Sequence, residues 1–308
     1  MKIYTITLNP AYDVHADAEH FAAFHENLAH VTSRESGGKG VNLSRALKNG
    51  DTEHTTIVIL GQDNCTEFKE DLAKAGLTTL FLEKPGRIRE NLTIHCADAP
   101  ETRISFSGFP ASDSLLDEVS ALIDADEDTV ITFTGRVASG MSIANVKAFL
   151  KNFQKKGAKI VLDSKSFSLE DIFEVSPWLI KPNQEEVSEY LNCPIDTIDQ
   201  ALEKAHVFAE HGVTNVMVSL GEQGAMLLHG DDAYIATPPA IDAKSTIGAG
   251  DSTLAGFVAA FSRGEDPAGC LKNAVTYGTA ACLTPGTLPP TAADITTIYP
   301  QVQIKKLS

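Results

Sequence analysis

The sequence predicts an α/β protein: a mostly parallel central sheet with helices on both faces, and a small β-sheet set apart as a lid. Three observations carry that expectation. Short β-branched runs alternate with helix-period segments along the 308-residue chain, the pattern of strands joined by helical crossovers. Two stretches, Ala11 to Arg34 and Glu90 to Phe109, break the alternation; in the second, Leu92, Ile94 and Cys96 and then Ile104 and Phe106 alternate with polar residues. Period two with one polar face suits a small antiparallel sheet. Glycine-rich junctions also stand where strands should hand over to helices.

Taken in order, central strands are expected at Thr56 to Leu60, Thr129 to Phe133, Lys159 to Asp163, Trp178 to Lys181 and Asn215 to Ser219, with helices at Glu67 to Ala75 and Ile143 to Lys156. The chain is expected to form one domain, 1–308, with the lid drawn from about 11–35 and 87–109. A hairpin is natural at Ala97 to Glu101, inside the second lid stretch. No repeat or low-complexity segment interrupts this plan.

Composition narrows the function. Hydrophobic residues make up 43% and charged residues 21%, ordinary globular values, and no apolar run reaches the roughly 18 residues that span a bilayer. The β-like start, Met1 to Leu8, lacks the features of a secretory signal, so cytoplasm is the expected compartment. Five scattered cysteines without paired spacing suit reduced thiols. A formal net charge of -16 disfavours nucleic acid and anionic membranes, which demand a basic face.

Chemistry concentrates in the glycine junctions. Thr246-Ile247-Gly248-Ala249-Gly250-Asp251-Ser252 runs straight into the apolar segment Thr253 to Phe261. Unpaired N–H groups at a helix start carry partial positive charge and dock an anion without any basic side chain. Asp251 stands out there, because a carboxylate competes with a bound phosphate; it reads as a base for a hydroxyl proton or, alternatively, as a helix N-cap. The second cluster, Glu35 to Leu47, holds Gly37, Gly38, Lys39, Gly40 and Asn42. It reads as a hydroxyl-recognition site or a plain turn before a helix. Asp13, after Thr7-Leu8-Asn9-Pro10-Ala11-Tyr12, stands just past the first strand, where the crevice of an open α/β sheet lies. It is placed to accept two sugar hydroxyls, with a turn-stabilising Asp as the competing explanation.

These motifs occur together and in order: Thr7 to Ala11 with Asp13, Gly37-Gly38-Lys39-Gly40-Val41-Asn42, Lys181-Pro182-Asn183 with Glu186, Ser219-Leu220-Gly221 with Gly224, and Gly248-Ala249-Gly250-Asp251. The chain resembles the phosphofructokinase B branch of the ribokinase-like sugar kinases, and within it the hexose-phosphate kinases, those acting on fructose 1-phosphate first and tagatose 6-phosphate second. The resemblance implies the ribokinase-like three-layer fold, ATP as phosphoryl donor and Mg²⁺ as cofactor. It implies Asp251 as the base, with the Gly248 to Asp251 backbone, in particular the N–H groups of Ala249, Gly250 and Asp251, as the anion hole. It implies Asn183 and Glu186 at the metal, Asn183, Ser219, Gly221 and Gly224 near the nucleotide, and Asn273 near the adenine. Plainer readings stand beside these: a capping pattern at Asn183 and Glu186, a tight turn at 219–224, and a surface position for Asn273. The chain lacks a G-x-x-x-x-G-K-[ST] loop, so the nucleotide site is of another kind.

The sugar's own phosphate calls for forked cations. Lys39, Arg87, Arg89 and Arg136 are the candidates; Arg89 matches a lid arginine of the family, with Asp13, Gly38, Lys39 and Asn42 completing the substrate set. Gly135-Arg136-Val137-Ala138 departs from the Gly-Ser-Leu-Pro of many hexose-phosphate kinases. The expected partners are a small sugar phosphate and ATP, with pairing of two lids into a homodimer compatible with an exposed β edge. A sugar-phosphate sensor of the same fold is the non-catalytic alternative.

Overall fold

The computed structural model describes residues 1–96 and 101–307. The first layer of the chain contains β1 (Lys2–Thr7), β2 (Ala11–Ala18), β3 (Ala29–Gly37), α1 (Lys39–Asn49), β4 (Thr55–Gly61), α2 (Cys65–Lys74), β5 (Thr79–Lys84), β6 (Arg89–Cys96) and β7 (Thr102–Ser105). Regular alternation follows: α3 (Ser114–Ala121), β8 (Thr129–Thr134), α4 (Ile143–Gln154), β9 (Lys159–Asp163), α5 (Leu169–Val175), β10 (Leu179–Ile180), α6 (Gln184–Leu191), α7 (Ile198–Glu210) and β11 (Asn215–Ser219). The C-terminal part is β12 (Ala225–His229), β13 (Asp232–Thr237), α8 (Ala249–Ser262), α9 (Pro267–Ala281), α10 (Ala292–Ile298) and β14 (Gln303–Lys306).

Among the described residues the central sheet has ten strands in the order β14-β13-β12-β11-β10-β9-β8-β1-β4-β5. Every pairing from β11 to β5 is parallel, and β12, β13 and β14 add an antiparallel edge. Helices cover both faces, so the inner strands are apolar throughout rather than alternating; all six residues of β8 are buried. One core joins Ile6, Ile131, Phe133 and Leu162 to α4 and α7 through Phe149, Phe153 and Phe208. A second joins Ile3, Val130 and Met217 to α1, α8 and α9, and a third packs Tyr12 and Val14 of β2 with Val41, Val58, Leu60, Phe68 and Leu72. The mostly parallel, doubly covered sheet expected from the alternation is therefore present.

The small sheet corrects one expectation. Its order is β3-β2-β6-β7, and β2 pairs with β6 in parallel while the outer pairs are antiparallel. Period two sets which face a residue occupies but not the direction of its neighbour, and β2 and β6 are separated by α1, β4, α2 and β5, a connection long enough for a parallel return. The hairpin expected at 97–101 falls on residues 97–100, outside the described residues.

α8 is apolar almost all round, and Asp251 to Ala260 are buried. A helix of that composition belongs inside, and it lies against both α1 and α9. Its contact with α9 depends on small residues, since an ideal Cβ on Gly256 would stand 2.4 Å from the Asn273 carbonyl oxygen. Gly256→Ala forces α9 outward. The expected loss of stability is about 2 kcal/mol, read as a lower urea midpoint at unchanged slope; an unchanged midpoint would show that the two helices have room.

Candidate active site

α8 begins at the crevice edge of the sheet. Gly248, its N-cap, has φ 79°, a left-handed conformation that glycine adopts without a Cβ penalty. The Ala249 N–H closes a turn on the Thr246 carbonyl at 3.3 Å, and the ordinary helical ladder starts with Ser252 N–H donating to Gly248. Among the described residues the N–H groups of Gly250 and Asp251 take no acceptor. Two of the three expected donors are thus free, while Ala249 is engaged in the turn.

Asp251 is 7% exposed, and its Oδ2 accepts a hydrogen bond from Asn42 Nδ2 at 3.1 Å. The Asn42 carbonyl oxygen is buried without a partner among the described residues, so it is available to a hydroxyl donor. Burial, joined by the Asp163 carboxylate, pushes Asp251 up to about 6, against the opposing pull of Lys39, the Asn42 hydrogen bond and Lys181. At neutral pH it is mostly a carboxylate with a proton affinity suited to a base.

Gly38 opens α1 with φ 120° and lets Lys39 enter beside this group. Lys39 Nζ lies 3.0 Å from both Asp163 carboxylate oxygens. Burial works against its charge, but Asp163 and then Asp251 outweigh it and hold the ammonium well above its usual pKa. Burial likewise opposes ionisation of Asp163, yet Lys181 and Lys39 keep its carboxyl below the ordinary range. Lys181 is 7% exposed, and its Nζ lies 3.1 Å from where a Cβ on Gly250 would stand. It has no hydrogen-bond acceptor among the described residues. Neither Asp163 nor the Lys181 side chain was singled out from the sequence, although each follows the C-terminal end of a parallel strand, the position that forms the crevice.

On the small sheet, Asp13 is a strand residue of β2 and is 3% exposed. Its Oδ1 accepts from Asn91 Nδ2 and from Arg103, each at 2.8 Å. Arg89 donates to the Asn91 side-chain oxygen at 2.9 Å and to the Phe106 carbonyl at 3.2 Å, and its buried Nε has no partner among the described residues. Burial lowers the Arg89 pKa, Asp13 raises it, and the charges of Arg103 and Arg136 lower it further. Arg136 is exposed, without an ion pair among the described residues; Arg87 is exposed as well. Arg103 pairs with the Asp13 carboxylate, and Arg89 and Arg136 add positive charge nearby. Sequence reading missed Arg103, whose signal was its register opposite Thr93, two residues from Asn91 on the same face.

The remaining residues divide. Asn183 caps α6 by accepting from Glu186 N–H at 2.7 Å, and Glu186 Oε2 accepts from Asn183 N–H at 3.1 Å, a capping box. Glu186 Oε1 lies 3.4 Å from Lys165 Nζ. Ser219 bridges to Asn183, and Gly221 and Gly224, at φ 58° and 92°, close the turn into β12. The turn reading describes their geometry, and it places them at the same edge as Asn183. Asn273 is not brought there: its amide donates to Glu265 and Gly269 and its oxygen accepts from Arg263, all beyond the far end of α8. Among the described residues no three His, Cys, Asp or Glu side chains gather as a metal cage.

A free helix N-terminus, a buried carboxylate and flanking ammonium groups can receive a phosphoryl group, and comparison with known proteins identifies the family. The profile described as pfkB family carbohydrate kinase matches residues 7–293. The chain belongs to the pfkB family of carbohydrate kinases. It is 30% identical over 262 residues to a protein of Escherichia coli (strain K12) named 1-phosphofructokinase, covering 83% of each chain. It is 29% identical over 282 residues to the Bacillus subtilis (strain 168) protein of that name, covering 90% of this chain and 91% of that one. The fold also matches phosphofructokinase-2 from Escherichia coli, solved in complex with substrates and products, at a TM-score of 0.89 and 24% identity over 97% of this chain and 99% of that one. This pfkB member is a sugar-phosphate kinase, and kinase membership implies use of ATP. Among the described residues no helix is long and apolar enough to cross a membrane.

Protonation of Asp251 removes its capacity to accept a proton. Activity that needs the carboxylate is expected to fall about tenfold per pH unit below the value of about 6 to which the group is pushed. The Asn42 hydrogen bond stabilises the ionised form, so Asn42→Ala raises that pKa and moves the acid limb upward. A kcat/KM profile flat to pH 5 would contradict the assignment.

Proposed function

We propose that this kinase transfers the γ-phosphoryl group of ATP to the free hydroxyl of a phosphorylated ketohexose, with fructose 1-phosphate giving fructose 1,6-bisphosphate as the first choice. The observation that carries this reading is Asp251, buried beside the free N–H groups of Gly250 and Asp251 and held by Asn42. In the proposed reaction Asp251 takes the proton of the sugar hydroxyl as that oxygen bonds to phosphorus, while the bond from phosphorus to the ADP oxygen breaks. Charge spread over the equatorial oxygens meets the two N–H groups and the Lys181 ammonium. The small sheet acts as a lid: Asp13 and Asn42 hold sugar hydroxyls, and Arg89, Arg103 and Arg136 hold the sugar phosphate. Lys39, bonded to Asp163, serves as a fixed positive charge beside Asp251 more than as a free phosphate ligand.

The donor set suits only a magnesium ion that keeps most of its water, because no three-carboxylate cage gathers among the described residues and the Glu186 Oε1 that would meet the ion is shared with Lys165 Nζ at 3.4 Å. Glu186, with Asn183 through its capping contact, would hold that ion. When bound, Mg²⁺ neutralises charge on the β- and γ-phosphates. Tagatose 6-phosphate is the second reading of the substrate.

Measuring ADP release over fructose 1-phosphate, fructose 6-phosphate, tagatose 6-phosphate, fructose, ribose and adenosine tests the substrate. Fructose 1-phosphate is expected to give the highest kcat/KM, and Asp251→Asn to lower kcat by about a thousandfold. Binding of a sugar phosphate without stimulated ADP release would turn the reading to a sensor. Arg103→Ala and Arg136→Ala are each expected to raise the sugar-phosphate KM about tenfold or more with the ATP KM unchanged; equal effects on both would remove them from the phosphate site.

We propose further that two copies pair through their lids. Phe24, Leu28, Val31 and Phe106 are 105%, 91%, 63% and 54% exposed, an apolar surface beside the sheet edges β3 and β7 that a second copy would cover. Sedimentation should give a dimer for the parent chain and a monomer for the Phe24→Asp/Leu28→Asp variant. A parent chain that sediments as a monomer at every concentration would refute pairing.

A further inference from the structure

We infer that Glu35 and Thr287 are positioning residues that couple closure of the lid to the shape of the anion cradle, an inference that rests on the kinase reading above. Thr287 lies in the loop after α9 and is 3% exposed. Its hydroxyl donates to Glu35 Oε2 at 3.1 Å. Glu35 belongs to β3 and stands directly opposite Asp13 of β2 in the antiparallel register, so the sugar-hydroxyl ligand proposed on the lid and the Thr287 acceptor are cross-strand neighbours. On its other side, the Thr287 Cα and carbonyl oxygen lie 3.9 Å and 3.8 Å from the point where a Cβ on Gly248 would stand. Gly248 is the left-handed residue that aims the next N–H groups at the phosphoryl site. A continuous path therefore runs from Asp13 through Glu35 and Thr287 to Gly248.

A second contact braces the same loop. His15, two residues from Asp13 on the same face of β2, is 4% exposed, and its Nδ1 is 2.9 Å from His95 Nε2. Its Nε2 lies 3.1 Å from where a Cβ on Gly286 would stand. The loop itself is tied: Thr284 Oγ1 donates to the Leu288 carbonyl at 2.7 Å, and Asn49 of α1 donates to the Pro290 carbonyl at 2.9 Å. A tied loop transmits a push instead of absorbing it. A shift of β3 by about 1 Å stretches a 3.1 Å bond beyond useful geometry, so the bond forms only with the lid down. Sugar binding then prepares the donors before the phosphoryl group moves, and a lid left open keeps ATP from being spent on water.

Hydrogen exchange with fructose 1-phosphate alone, combined with steady-state kinetics, tests this. In the parent chain the sugar phosphate is expected to slow exchange both in β6 and over residues 248–252. Thr287→Val should keep the slowing in β6, lose it over 248–252, and lower kcat about tenfold with the sugar KM within about twofold of the parent. Glu35→Ala should behave alike without altering the loop, which keeps the test open if Thr287→Val folds poorly. Thr287→Ser and Glu35→Gln retain a donor and an acceptor and should restore kcat. The double variant Glu35→Ala/Thr287→Val should be no worse than either single change. Slowing over 248–252 that survives in Thr287→Val, additive losses, or a raised sugar KM at unchanged kcat would each overturn the coupling alone. No slowing in β6 and no sugar-stimulated ADP release in the parent would overturn the kinase reading together with it.

Discussion

Two carboxylates and two ammonium groups, Asp163, Asp251, Lys39 and Lys181, are gathered at the crevice edge of the central sheet, and the rest of the site depends on their balance. Buried charge is tolerated only when opposite charge is near. Lys39 is bonded to both oxygens of Asp163, and this pair holds the floor on which Asp251 stands. The formal charges cancel before any substrate arrives. Removing one member leaves its partner uncompensated, which explains why the sequence invests two lysines where a free phosphate site would call for one. Burial, only partly offset by Lys39 and Lys181, pushes Asp251 up to about 6.

The cradle above this floor is a backbone device, and its donors act through position. Gly248 in its left-handed conformation turns the chain so that Gly250 and Asp251 present N–H groups that the helix cannot use. Side chains join it from separate elements, Asn42 from α1 and Lys181 after β10, while the Thr287 backbone, in the loop after α9, packs beside Gly248. The geometry is therefore set by the packing of α1, α8 and α9 on the sheet and not by the crevice loops alone. Placing catalytic groups on buried helices and strand ends is how a site holds its dimensions.

Much of this was legible in the residues. The sheet and its covering helices followed from β-branched runs and helical periods because burial on both faces leaves that mark directly. Gly248 to Asp251 and Gly38 to Asn42 were legible because glycine next to a polar residue at a helix start has few structural uses. Other features were not. Parallel pairing of β2 with β6 depends on what returns between them, and a period of two carries no direction. Asp163, Lys181 and Arg103 were passed over because each is an ordinary charged residue until the fold places it. Asn183 and Glu186 satisfy a capping box outright, and a capping box and an Asn-x-x-Glu metal element share one spacing. Asn273 illustrates the opposite error: a helical Asn read toward the nucleotide is instead absorbed by Glu265, Gly269 and Arg263.

In the proposed function the small sheet is the element that distinguishes a phosphorylated sugar from water. Asp13, Asn91, Arg89 and Arg103 form one connected hydrogen-bonded group on the small sheet, in which Asp13 supplies the carboxylate. Burial lowers the Arg89 pKa most, and the charges of Arg103 and Arg136 lower it further, so the guanidinium groups repel one another when no anion is bound. A sugar phosphate relieves that repulsion, so its binding energy is realised on the lid, away from the reacting hydroxyl. Energy gained remotely is useful to catalysis only if it reaches the reacting atoms. The hydrogen bond from Thr287 to Glu35, directly across from Asp13, is a physical route by which it does.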